Sequence, residues 1–180
     1  MRRMLRILTL ALALVACSDG SEAPPSSAAS TAEAARPAPD PETPPTEVLQ
    51  RFYDALAAGR VGDAVPLMVP LADAELRAKL PADLGKVVEL CQAGELRLEA
   101  KEHKIQGRWA CVVTRHALER DGVKTVDIRD EFLLRTPDGW RIASEPMRKD
   151  PAVAPNWNED AQQLLTWFRA NHDLLVSRYQ

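Results

Sequence analysis

The sequence predicts an α+β domain, with N-terminal helices packed on one face of a curved antiparallel sheet and an extra C-terminal helix. Three observations carry this expectation. Apolar residues recur at helical spacing from Val48 to Cys91, alternate with charges from Leu96 onward, and return to helical spacing after Asn156. The turn signals Asp121-Gly122 and Pro137-Asp138-Gly139 divide the alternating region. Helices followed by an antiparallel meander pack as layers around one core.

The elements follow in order. Thr43 or Thr46 can cap a first helix, with Pro44 suited to its first turn. Val48, Leu49, Phe52, Ala55 and Leu56 form its apolar stripe, and Gly59 ends it. Asp63 can cap a short second helix ending near Pro70, and Ala72 to Leu80 reads as a third. Leu84, Val87, Val88 and Cys91 share one face of a fourth, closed by Gly94. Leu96, Leu98 and Ala100 alternate with charges as a half-buried strand. Ile105 to Glu119 reads as a longer strand, Val123 to Thr136 as its return, and Trp140 to Ser144 as the last.

The Asp121-Gly122 turn fixes a register. With Arg120 opposite Val123, Trp109 faces Leu134, Cys111 faces Phe132, Val113 faces Asp130 and Arg115 faces Ile128. This face is apolar except for Arg115 and Asp130. A three-residue second turn would pair Leu134 with Ile142. The other face carries His116 against Asp127, read as an exposed pair. After a Pro-containing loop, Asn156 with Glu159 resembles a capping box. Ala161, Leu164, Leu165, Phe168, Leu175 and Tyr179 then mark an amphipathic helix that either packs on its own domain or docks a partner.

The N-terminus sets an expectation of location. Arg2, Arg3 and Arg6 precede the apolar run Ile7 to Ala16, the pattern of a secretory signal, and the run is too short to span a bilayer. Leu14-Val15-Ala16-Cys17 resembles a bacterial lipobox. The resemblance implies a signal peptide over 1–16 and lipidation of Cys17, with palmitate-type acyl chains as the membrane anchor. Two or three chains make a lasting anchor where one binds reversibly. Ser18 after the cysteine resembles the pattern of outer-membrane lipoproteins, facing the periplasm. Residues 17–45 hold the lipidated Cys and a Pro/Ala/Ser linker with seven of the 14 prolines, too poor in large apolar groups to fold.

The remainder divides into a helix-plus-sheet domain over 46–146 and a loop with C-terminal helix over 147–180. Taking the three signal arginines from 23 basic residues leaves 20 against 26 acidic, a net charge of −6. That argues against nucleic acid as a partner, which would call for a basic patch. The stretches "VLQRFYDALAAGRVGDAVPLM", "IQGRWACVV" and "FLLRTPDGWRI" resemble the nuclear-transport-factor-2-like superfamily, the cystatin-like cone shared with ketosteroid isomerases and polyketide cyclases. The resemblance implies a curved sheet and helices enclosing a pocket that either binds a small molecule or is filled.

Candidate chemistry is sparse. Arg115 and Asp130, the odd charges of an apolar row, form either a structural ion pair or a pocket-lining pair, with Trp109 and Phe52 as apolar neighbours. A ketosteroid-isomerase-like site, with Asp130 as base, would add a tyrosine or a protonated acid to stabilise an oxyanion, and the only tyrosines are Tyr53 and Tyr179. His103, His116 and His172 lack metal-ligand spacing, and no metal or cofactor is expected. Cys91 and Cys111, both on apolar faces, form either a disulfide or two buried thiols. The leading expectation is a non-catalytic binding or accessory protein of the cell envelope, taking a small apolar ligand or an envelope protein partner. The alternatives are a small-pocket isomerase or dehydratase and a scaffold acting through the C-terminal helix.

Overall fold

The computed structural model describes residues 42–180. The expected signal peptide, Cys17 and nearly all of the linker lie outside the described residues. Helix α1 (Pro45–Ala57) starts on Pro44 with no side-chain cap, so neither Thr43 nor Thr46 serves. Proline suits this end, because its ring presets a helical φ and it lacks the N–H that would stay unpaired. The expected stripe is buried, joined by Tyr53. One turn, α2 (Val61–Ala64), runs on into a 3-10 turn.

The expected third and fourth helices are one, α3 (Ala74–Gln92), which runs through Pro81. The proline deletes a single backbone bond, and the helix continues on both sides of it. Asp73 caps the start, its carboxylate accepting from the N–H groups of Glu75 (2.8 Å) and Leu76 (3.0 Å).

The sheet is antiparallel in the order β1-β2-β3-β4. The long strand expected from Ile105 is a hairpin, β1 (Leu96–Gln106) and β2 (Trp109–Arg120), turning at Gly107 and Arg108. Gly107 has φ +54°, and a Cβ there would overlap the Asp160 carboxylate. Glycine thus serves both the turn and the close approach. A bulge between Ala100 and His103 sets Lys101 and Glu102 opposite Val113.

Strand β3 (Val123–Thr136) meets β2 in the expected register, from Trp109 opposite Leu134 to Arg120 opposite Val123. Asp121 and Gly122 both have positive φ, as a tight hairpin turn requires. The second turn differs by one residue. In β4 (Gly139–Ile142), Gly139 already pairs with Thr136, so the turn is Pro137-Asp138 and Ile142 opposes Leu133 rather than Leu134. Its φ of +98° lets Gly139 enter the ladder straight from the turn.

Both faces of the sheet are covered. Odd-numbered residues of β2 point to one face and even-numbered residues to the other. Tyr53 of α1 packs edge-on against His116, so α1 covers the even face. Helix α4 (Glu159–Tyr179) covers the odd face, where Lys104, opposite Cys111, lies over Trp167. The apolar face read from the register therefore belongs to α4, not to the N-terminal helices. Residues Trp109 to Thr114 consequently have no exposed surface on either side. Asn158, not Asn156, caps α4, and Phe168 and Leu175 of its stripe are buried on its own sheet. No described helix is long and apolar enough to cross a membrane.

Candidate functional site

The four sequence-predicted pocket residues do not share a pocket. Arg115, Asp130 and Trp109 lie on the odd face, and Phe52 is buried on α1 beside Tyr53. Arg115 and Asp130 are not partners. Arg115 donates to the Tyr179 carbonyl (Nε, 2.9 Å) and to Glu99 (Nη1, 3.2 Å). Asp130 accepts from Arg148 at 3.1 Å. The register was right, but Glu99 from β1 and Arg148 from the loop after β4 reach the two charges first.

Trp109 is a structural side chain. Its indole N–H donates to the Asn156 carbonyl at 2.7 Å, and its ring stands edge-on to Phe132 and Trp157. The Arg148 guanidinium lies over both Phe132 (4.8 Å) and Trp157 (4.6 Å) while bonding Asp130. This stack holds the loop before α4 on the sheet.

Arg115 does line an opening, a cleft of about 180 Å³ on the odd face beyond the end of α4. The register lays its floor out in rows. Arg97, Ala117 and Val126 form the middle row, and Glu99 and Arg115 the row nearer α4. Glu95, Glu119 and Lys124 form the outer row, tied by a bond from Glu119 N–H to the Glu95 carbonyl. Glu119 pairs with Lys124 at 3.1 Å. Arg115 links the cleft to the C-terminus of α4, which is held three times: Arg178 and Tyr179 both donate to Glu102 (2.7 and 2.9 Å), and Arg115 holds the Tyr179 carbonyl. The β1 bulge supplies that acceptor, since it inserts Lys101 and Glu102 opposite a single residue.

A second group of polar side chains lies between α1 and the even face. The Tyr53 hydroxyl and Glu131 Oε2 are shielded from solvent and make no hydrogen bond. Burial pushes the Glu131 carboxyl from 4.5 up to about 7, with the Asp130 charge adding and Ser144, Arg148 and Arg129 opposing. Burial, and then the Glu131 charge, hold the Tyr53 phenol well above its ordinary value. His116, expected to be an exposed pair with Asp127, is half-buried under Tyr53 and within 3.1 Å of the Thr114 hydroxyl. Burial, then Arg129, push its pKa down to about 4 against the pull of Asp127, so the ring is neutral at pH 7. Asp127 itself bonds Arg129. A carboxyl that titrates near neutrality beside a phenol that stays protonated can move a proton and stabilise a developing oxyanion.

Cys91 and Cys111 are free thiols in the structure. Cys111 lies on the odd face opposite Phe132, whereas Cys91 lies on α3, which packs on α1, α2 and β1. Sequence reasoning missed Glu131, Tyr53 as its neighbour, and Arg148. The unbroken apolar run Trp109 to Val113 carried the signal, because a strand apolar at every position is buried on both faces.

No family model and no curated protein matches the sequence. Solved structures with a similar backbone include a Campylobacter jejuni protein provisionally described as an NTF2-like transpeptidase, at 14% identity and TM-score 0.42, over 56% of this chain and 97% of that one. Another, from Shewanella frigidimarina and provisionally described as a ketosteroid isomerase, has 17% identity and TM-score 0.42 over 53% of this chain and 87% of its own.

Proposed function

We propose that the protein is a lipid-anchored cell-envelope binding protein with a nuclear-transport-factor-2-like domain, held through Cys17 in the outer membrane and facing the periplasm. The anchor rests on the lipobox-like Leu14-Val15-Ala16-Cys17, and the family on the three stretches quoted above. The observation that carries the binding role is the cleft beside Arg115, which stays open while the stripe of α4 is buried on its own sheet. Labelling with an alkynyl palmitate and fractionation of bacterial envelopes test the anchor. Wild-type protein is expected in the outer-membrane fraction with label, and Cys17→Ser in the soluble fraction without it. Label-free wild type in the soluble fraction would refute the anchor. Melting-temperature shifts across a panel of small molecules test the binding role, and a panel that shifts nothing counts against it.

A second reading is favoured by one observation: Glu131 and Tyr53 bring a near-neutral carboxyl and a protonated phenol to the same interior. It makes the protein a small-pocket isomerase or dehydratase, with Glu131 as the base and Tyr53 as the oxyanion donor. Deuterium exchange at the α-carbon of an enolisable ketone is the assay. Exchange lost in Glu131→Gln would support this reading, and exchange equal to buffer in wild type would remove it.

A further inference from the structure

The cleft beside Arg115 carries a specific pattern of charge. Its floor, Ala117 and Val126, is apolar and half-buried. Four of the charged side chains around it are already paired, Arg115 with Glu99 and Lys124 with Glu119. Glu95 and Arg97 are different. Both line the cleft, and neither makes an ion pair or side-chain hydrogen bond among the described residues. They stand two residues apart, Glu95 in the bend just before β1 and Arg97 second in the strand, and no ion pair joins them. An acid and a base so spaced would hold each other only weakly through water. Together they present one acceptor site and one forked donor site above an apolar floor. Arginine's fork matches a carboxylate in two-point contact, and a carboxylate accepts from an ammonium group. The volume, about 180 Å³, lies below the range of roughly 300–1,000 Å³ typical of drug-sized sites.

Resting on the binding role proposed above, we infer that the cleft takes a free α-amino acid with an apolar side chain. Arg97 holds the α-carboxylate, Glu95 receives the α-ammonium, and the side chain lies on Ala117 and Val126. Arg115 is held at the edge of the cleft by its bonds to Glu99 and to the Tyr179 carbonyl. The ligand is neutral overall, so binding should depend on salt far less than binding of an anion to an arginine pair.

NMR titration of the purified full chain with L-leucine, N-acetyl-L-leucine and L-leucinamide tests this. Leucine is expected to shift amides of Glu95–Glu99 and Arg115–Glu119. Each blocked derivative should bind about two- to fivefold more weakly, because Arg97, exposed, or Glu95, half-buried, loses its charged partner. Arg97→Gln should erase the difference between leucine and leucinamide, and Glu95→Gln that between leucine and N-acetyl-leucine. Neither side chain supports the fold, so both variants should melt as wild type does. Equal binding of all three probes, shifts confined to another surface, or no shift up to the solubility limit of leucine would each overturn the inference. The binding role itself fails separately, if the panel of small molecules also leaves the melting temperature unchanged.

Discussion

Arg148→Met tests the arrangement that displaced the expected Arg115–Asp130 pair. The Arg148 side chain is 16% exposed, and its guanidinium lies 4.8 and 4.6 Å from the Phe132 and Trp157 ring centres and bonds Asp130 at 3.1 Å. Each ring contact contributes about 0.5–2 kcal/mol, the upper value applying where water is excluded. The ion pair falls between a surface pair of about 1 kcal/mol and a buried one whose breakage costs about 3–5 kcal/mol. Methionine keeps part of the packing, so the substitution should cost about 2–4 kcal/mol. Asp130→Leu leaves the guanidinium on its rings and should cost less. Because the two groups are direct partners, the double variant should be about 1–2 kcal/mol milder than the sum. Arg115→Met combined with Asp130→Leu should be near-additive, since their partners are Glu99 and Arg148 respectively. Urea melts of the two cycles, at constant slope, give both coupling energies. A larger coupling for Arg115 with Asp130 than for Arg148 with Asp130 would refute the assignment of partners.

Three further outcomes are expected. Asp150 is 1% exposed and accepts from the N–H groups of Ala72 (3.1 Å), Asp73 (2.9 Å) and Ala152 (2.7 Å). Asp150→Ala should therefore cost about 3–5 kcal/mol by thermal or urea melts. Burial raises its pKa but the three N–H donors outweigh it, leaving a net lowering, so this support is full above about pH 4 and fades as pH falls through the folded value. Glu131 and His116 should give opposite slopes of stability against pH. The raised carboxyl favours the fold below pH 4.5 and loses that contribution toward about 7, while the lowered imidazole loses its contribution as pH falls from 6.5 toward about 4. Glu131→Gln should thus expose a rise in stability with pH, and His116→Asn a fall, each up to about 1.4 kcal/mol per unit; unchanged profiles would contradict the burial of both. Thiol titration of unfolded, unreduced Cys17→Ser protein should count two thiols, Cys91 and Cys111. In the folded protein Cys91 should react before Cys111, whose thiol burial raises far more.

Periodicity read alone was sufficient for the elements whose neighbours are local. The α1 stripe and the β2–β3 register follow from spacing and from one turn whose two residues both need positive φ. Errors arose where a tertiary contact outweighed a local signal. Pro81 marks a helix end in isolation, but α3 loses only one bond there and continues. Gly107 reads as an interruption within a strand, and its positive φ at a turn and the close approach of Asp160 show only in the fold. The cover over each face was not legible, because alternation says which residues share a face and not which helix lies on it. For the same reason the partners of Arg115 and Asp130, the cleft at the end of α4, and the meeting of Tyr53 with Glu131 required the fold.

The central claim is that α4 is an integral layer of the domain, closing the odd face, with its C-terminus held by Arg115 from the edge of the cleft. Amide hydrogen exchange of the full chain tests it most directly. Leu164, Phe168 and Leu175 pack on the sheet with 1%, 6% and 1% exposure, so their amides should exchange only with global unfolding, within about 1 kcal/mol of those of β2. If those helix amides exchange about 3 kcal/mol or more ahead of the strand amides, α4 opens on its own and is not an integral layer of the domain.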